Sequence, residues 1–228
     1  MKAMILAAGR GSRMAALTHS TPKPLVKVLD KPLIEYHLDK LQSAGFSTVV
    51  INVSWLAEQL ENYFNNLYKG SLDIKLYSEP QALETGGGVF SALEDLSDDG
   101  TPFLVINADV MSDFDFASVP TTMKSLAHLY MVDNPLHNPL GDFYLDNQGG
   151  LRLDSSKNTQ AKLTFSGISL LSPQLFSGCE IAKFSLVNLF RKYMAQGLVS
   201  GEKIHNTWID VGTVERLEQA SEWQRTLR

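Results

Sequence analysis

The run Leu6-Ala7-Ala8-Gly9-Arg10-Gly11-Ser12-Arg13-Met14, with Thr21-Pro22-Lys23-Pro24-Leu25 shortly after it, combines the two things that a polyphosphate needs. Glycines let backbone N–H groups close on an anion, and arginine and lysine neutralise its charge. Positive charge is gathered there. Residues 1–31 hold six Lys/Arg (Lys2, Arg10, Arg13, Lys23, Lys27, Lys31) against one acid, Asp30, while the other 197 residues hold 14 basic and 24 acidic side chains. The loop fits neither of two common phosphate motifs. Gly9-x-Gly11-x-x-Met14 has methionine where a dinucleotide fingerprint needs its third glycine, and no Gly-Lys-Ser/Thr follows as in a P-loop. A plain surface turn would not need Arg13, Thr21 and Lys23, so phosphate binding is the expectation.

Two aspartates end short apolar stretches, Asp109 after Phe103–Asn107 and Asp210 after Trp208-Ile209. A lone carboxylate in such a place is ordinarily a helix cap or a turn former. Other catalytic groups are sparse. His19, His37, His128, His137 and His205 are scattered without ligand spacing, no Gly-x-Ser-x-Gly elbow is present, and Cys179 has no evident activating neighbour. These are expected to be structural or exposed.

The elements that must position the loop and the aspartates alternate between strand and helix. Lys2–Ala7 reads as a buried strand ending at the glycine turn. Pro32–Ala44 reads as a helix, with Pro32 in its first turn, Ile34, Leu38 and Leu41 on one face, and Gly45 as its stop. Thr48–Val53 is a β-branched strand, and Trp55–Leu67 a helix with Leu56, Leu60, Phe64 and Leu67 in register. Leu72–Tyr77 alternates as a strand, Gly86–Leu96 is a helix opened by three glycines, and Phe103–Asn107 is an apolar strand. Four strands with helical crossovers predict a Rossmann-like, doubly wound α/β fold, its mixed, mainly parallel sheet flanked by helices. In the second half Leu126–Val132, Phe143–Leu145, Leu151–Leu153 and Leu163–Leu171 read as added antiparallel strands, and Phe184–Gln196 and Val214–Arg225 as helices. Ligands of open α/β sheets bind beyond the carboxyl ends of the strands. The glycine loop follows the first strand and Asp109 the fourth, so both point to one rim.

Length predicts a single domain over 1–228. The net charge of −5 argues against a nucleic-acid surface. One cysteine cannot form an internal disulfide, which makes a reducing compartment the default. No signal-peptide core and no membrane span is evident, and a cytoplasmic protein is expected.

Taken in chain order, the motifs resemble those of the sugar-1-phosphate nucleotidyltransferases. The glycine loop with Pro22-Lys23-Pro24-Leu25 is similar to that family's signature, and Leu83-Glu84-Thr85-Gly86-Gly87-Gly88 resembles its nucleobase segment. Asn107-Ala108-Asp109 and Trp208-Ile209-Asp210-Val211-Gly212-Thr213 resemble its two metal-binding motifs, and Phe165-Ser166-Gly167-Ile168 its sugar-contacting strand. The resemblance implies that Leu6, Ala8, Gly9, Gly11, Ser12, Arg13 and Lys23 bind the nucleotide triphosphate, with Arg13 and Lys23 as the catalytic cations. It implies that Thr85 and Gly86 meet the base, that Asn107, Asp142 and Gly167 meet the sugar, and that Asp109 and Asp210 hold Mg²⁺. About 1–110 would then be a nucleotide-binding half and about 111–228 a sugar-binding half.

Thr21 to Val26, Pro32 to Leu38, Gly141-Asp142-Phe143 and Leu163 to Ser169 narrow the resemblance. They imply transfer of UMP from UTP to N-acetylmuramic acid 1-phosphate, a step of cell-wall recycling. The alternatives are mannose 1-phosphate with GTP, or glucose 1-phosphate with UTP or dTTP. Many relatives carry a Glu-Lys-Pro whose lysine meets the sugar phosphate. Here Lys157 and Lys162 stand nearby instead, and the role is unassigned. A nucleotide-binding regulator without turnover is disfavoured because Arg13, Lys23, Asp109 and Asp210 are all retained. An NAD(P) oxidoreductase is disfavoured by Met14.

Overall fold

The computed structural model describes residues 1–97, 99–155 and 159–227, the side chains of 159–161 excepted. In chain order its main elements are β1 (Ala3–Leu6), α1 (Leu33–Ser43), β2 (Thr48–Val53), α2 (Ala57–Asn66), β3 (Asp73–Ser78), α3 (Glu84–Ser91), β4 (Phe103–Asn107) and β5 (Val110–Ser112). They continue with β6 (Ala127–Val132), β7 (Phe143–Asp146), β8 (Leu151–Arg152), β9 (Thr159–Leu171), α4 (Leu186–Met194), β10 (Val199–Lys203), β11 (Trp208–Asp210) and α5 (Val214–Thr226). The chain divides into two compact units. One is Met1–Ala82 with Ile106–Ser118 and Thr207–Arg228; the other is Leu83–Val105 with Val119–Asn206.

In the first unit β1, β2 and β3 run parallel, with Ala3 opposite Val49 and Thr48 opposite Asp73. Parallel strands need crossovers, and α1 and α2 supply them. The Val/Ile-rich β2 has no exposed residue, as a strand covered on both faces should, whereas β3 is half-exposed. Helix α1 buries Leu33, Ile34, His37, Leu38 and Leu41, and ends where Gly45 takes φ 80°, a left-handed value that a Cβ disfavours. Helix α2 is shorter than its apolar spacing predicts. Leu56 sits outside it at φ 55°, Leu67 is exposed, and Tyr63 rather than Phe64 joins Leu60 in the core. Strands β5 and β11 form a separate antiparallel ribbon, with Asp210 opposite Val110 and Ile209 opposite Met111.

In the second unit the long β9 pairs antiparallel with both β6 and β7, and β8 pairs antiparallel with β7. Strand β10, absent from the sequence expectation, runs parallel to β6. Its Val-Ser-Gly-Glu-Lys composition carries little strand preference, so pairing rather than propensity makes it a strand. The helix expected over Gly86–Leu96 breaks at Ala92 into Glu84–Ser91 and Leu93–Leu96, with the three glycines inside the first piece. The fold class is the expected one, a Rossmann-like α/β arrangement of parallel strands and flanking helices with antiparallel strands added.

Candidate active site

One apolar cluster in the first unit anchors all three segments that carry candidate groups. It gathers Met14 from the glycine loop, Met111 two residues past Asp109, and Val211 next to Asp210, together with Val26, Val28, Leu33 and Ala220. Met14, the residue that spoils the dinucleotide fingerprint, is 1 % exposed and is the plug that fastens the loop. Burying a side chain of that size contributes about 1.5–3 kcal/mol.

The loop itself is held by backbone geometry and three polar grips. Gly11 has φ 65°, and a Cβ on it would lie 3.0 Å from Thr18 Cγ2 and 3.3 Å from Lys23 Cβ. The buried Thr18 hydroxyl donates to Gly11 O and Met14 O at 2.9 and 3.1 Å. At the loop's start, the Ala7 N–H donates to Asn52 Oδ1 at 2.8 Å, and Asn52 Nδ2 donates to Glu79 Oε1 at 2.7 Å, all buried. Opposite, Trp55 Nε1 donates to Thr18 O, and the Arg10 guanidinium stacks over the Trp55 ring at 4.2 Å. Leu6 and Ala8 border the loop half-buried, whereas Gly9, Ser12 and Arg13 are exposed on it. Around Gly9 a Cβ would meet nothing within 4 Å, so that flank is open to a ligand.

The β5–β11 pairing brings the two aspartates to neighbouring positions. Val211 N–H donates to Asp109 O at 2.8 Å, which sets Asp109 beside Val211 and one residue from Asp210. Each carboxylate faces a cation: Lys23 Nζ is 2.5 Å from Asp109 Oδ2, and Arg216 Nη1 is 3.4 Å from Asp210 Oδ2. Around Gly212, an added Cβ would lie 3.0 Å from Asp210 Oδ1 and 3.1 Å from Arg13 Cζ. Asp109 with Lys23, and Asp210 with Arg13 nearby, thus occupy adjoining backbone positions of one unit, with Asn107 half-buried two residues before Asp109. No cluster of three or more His, Cys, Asp or Glu is present among the described residues. Two hard carboxylate oxygens are the donor set that suits a hard divalent cation completed by substrate oxygens and water.

The remaining candidates lie in the second unit. Thr85 Oγ1 accepts from the Leu186 N–H at 2.9 Å. The Gly86 N–H donates to Phe184 O at 2.9 Å, and a Cβ there would overlap the Phe184 ring. The resemblance has Gly86 meet the base; in this fold its N–H is taken by Phe184 O, and the glycine permits the 182–184 segment to pack. Asp142 is exposed, yet its oxygens accept from Phe165 N–H at 2.8 Å and Asn138 Nδ2 at 3.1 Å. Gly167 is buried at φ 82°, inside the register shift of β9 between Phe165 and Ser169. Lys162 lies over the Tyr144 ring at 5.7 Å, and Lys157 falls outside the described residues.

Sequence reasoning missed Thr18, Asn52, Trp55, Glu79 and Arg216. Asn52 alone left a signal, a polar residue inside an otherwise apolar strand. His37, one of the histidines expected to be structural or exposed, is structural: its ring is buried against the main chain of Ala108 and Val110, the residues flanking Asp109. Burial, reinforced by Lys40, pushes its pKa from 6.5 down to about 4. The folded protein holds this imidazole neutral while the unfolded chain protonates it near 6.5, so stability is intact above 6.5 and falls as pH drops towards 4. Denaturant melts at pH 7 and pH 5 should show that loss, and His37→Gln should flatten the difference. An unchanged difference in the variant would contradict a neutral buried His37.

The family profile named nucleotidyl transferase matches residues 2–134, and the chain belongs to this family. It is 46 % identical over 227 residues to the N-acetylmuramate alpha-1-phosphate uridylyltransferase of Neisseria meningitidis, covering 96 % of each chain. It is 32 % identical over 223 residues to the protein of the same name from Caulobacter vibrioides, covering 92 % of this chain and 91 % of that one. In fold it is similar to a UDP-glucose pyrophosphorylase solved with UDP-glucose, with a TM-score of 0.75 at 20 % identity, covering 100 % and 99 % of the two chains.

Proposed function

We propose that the chain transfers UMP from UTP to N-acetylmuramic acid 1-phosphate, releasing pyrophosphate, with Mg²⁺ held by Asp109 and Asp210. The reading is supported by the ribbon that brings Asp109 and Asp210 to adjoining backbone positions, where Lys23 pairs with Asp109 and Arg13 lies near Asp210. The choice of base and sugar is supported by the relative that is 46 % identical and carries that activity in its name.

A sugar-phosphate oxygen attacks the α-phosphorus of UTP, the bond from that phosphorus to the bridging β-oxygen breaks, and the electron pair leaves on pyrophosphate. The attacking phosphate is already ionised at neutral pH, so no general base is needed, and positioning with charge stabilisation supplies the rate. Mg²⁺, when bound, would neutralise the two phosphates that must meet. Leu6, Ala8, Gly9, Gly11 and Ser12 line the triphosphate. Arg13 stabilises the departing charge. Lys23 leaves Asp109 for the α-phosphate. On the family resemblance we assign Thr85 and Gly86 to the base, and Asn107, Asp142 and Gly167 to the sugar. We assign these roles to one nucleotidyltransferase domain over 1–228 working in the cytoplasm. Among the described residues no helix is long and apolar enough to cross a membrane.

Pyrophosphate release from a panel of substrates tests the reading. UTP with N-acetylmuramic acid 1-phosphate should exceed UTP with N-acetylglucosamine 1-phosphate, GTP with mannose 1-phosphate, and UTP or dTTP with glucose 1-phosphate by about tenfold or more in kcat/KM. A better rate with another pair would reassign the substrate. Tight nucleotide binding with no turnover on any pair would favour a regulator.

A further inference from the structure

Arg216 belongs to none of the motifs above, yet three observations converge on it. It lies in the first turn of α5, where the Thr213 hydroxyl caps its backbone N–H at 3.3 Å. A cation so placed opposes the helix dipole, so its charge serves something other than the helix. Its side chain is only 12 % exposed and reaches Asp210. Around Gly212 a Cβ would overlap Arg216 Nη2 while lying 3.1 Å from Arg13 Cζ and 3.0 Å from Asp210 Oδ1. Two guanidiniums therefore share the space round one glycine with the Asp210 carboxylate, while the other acid beside Arg216, Glu215, is fully exposed to water, and the positive charge gathered there suits a polyanion.

Asp210 also leaves Arg216 unsaturated. The Nη1 contact of 3.4 Å is long for a charge-assisted bond, which usually spans about 2.7–2.9 Å. Arg216 Nε is buried with no hydrogen-bond partner among the described residues. A buried guanidinium donor without a partner is one that a phosphate oxygen would satisfy once the side chain turns to meet it.

We propose that Arg216 is a second phosphate-binding guanidinium, paired with Arg13 on the β- and γ-phosphates that leave as pyrophosphate. This rests on the nucleotidyltransferase reading above. In the ligand-free chain Arg216 steadies Asp210, and its remaining donors face the nucleotide tail.

Calorimetric titration of UTP, pyrophosphate and UMP, with Mg²⁺ present, tests it in wild type, Arg216→Gln and Arg216→Lys, each checked for folding by its melting curve. The glutamine variant should weaken UTP and pyrophosphate about tenfold or more, which corresponds to about 1.4 kcal/mol, and leave UMP within about twofold. The lysine variant, which keeps the charge and loses the fork, should fall between. Repeating the titrations with Asp210→Asn as parent separates direct contact from a mere clamp on Asp210, because the loss should persist there. An equal loss for UMP and pyrophosphate, no loss at all, or a loss that disappears in the Asp210→Asn parent would overturn the proposal. A wild-type protein that binds neither UTP nor pyrophosphate would instead overturn the enzyme reading itself.

Discussion

Asp109→Asn is expected to slow pyrophosphate release about 10³-fold or more while the chain stays folded. The amide matches the carboxylate in shape but would not supply the negative charge that the proposed divalent ion needs. On the proposed reading the loss belongs in kcat, because UTP would still meet the glycine loop, Arg13 and Lys23. The substitution also removes the ion-pair partner of Lys23, whose side chain is 12 % exposed. A half-buried cation without its partner is destabilising, by about 1–2 kcal/mol here, which for a chain of this size lowers Tm by a few degrees. The measurement is kcat and KM with a melting curve on the same preparation. A folded variant retaining more than a tenth of the wild-type kcat would remove Asp109 from the proposed ion site.

Gly11→Val should have the second largest effect, and it should act through geometry. The backbone at Gly11 is left-handed at φ 65°, which costs a β-branched residue about 1–2 kcal/mol or more. The new Cβ would also press on Thr18 Cγ2 at 3.0 Å, and Thr18 is 2 % exposed and bonded to two loop carbonyls, so it has nowhere to go. The alternative is displacement of Lys23, whose Cβ would lie 3.3 Å away. A loop or lysine moved by an ångström costs on the order of 10²-fold in kcat/KM for UTP. Gly9→Ala is the comparison: its φ is not positive and a Cβ would meet nothing within 4 Å, so stability should change by less than about 0.5 kcal/mol. Wild-type kcat/KM for UTP in Gly11→Val would contradict a loop whose shape is fixed at that residue.

What the residues revealed in advance follows from what is local. The glycine loop, the apolar strands and α1 are legible because spacing, β-branching and Gly45 act within a few residues of one another. Asp109 and Asp210 are legible only through their motifs, since nothing in the spacing of residues so far apart says that β5 and β11 pair. Met14 is legible as the residue that rules out a dinucleotide fingerprint, but its burial is not, because the cluster it fills comes from distant segments. Nothing local shows that the Gly86 N–H is taken, because Phe184, its acceptor, is remote in sequence. Strand β10 carries no propensity of its own, and the left-handed Leu56 interrupts a helix whose apolar pattern runs straight through it. Arg216 sits where its charge makes little sense for a helix, a signal that gains meaning once Arg13 and Asp210 stand next to it.

The most direct check on the pair of aspartates is a crystal structure with UTP and Mn²⁺, the ion being located by its anomalous scattering. A single Mn²⁺ should lie within coordination distance, about 2.0–2.3 Å, of oxygens from both Asp109 and Asp210, with Arg13 and Lys23 turned to the phosphates. An ion bound by the nucleotide alone, or by only one of these carboxylates with the other still paired to its cation, would contradict the proposed site.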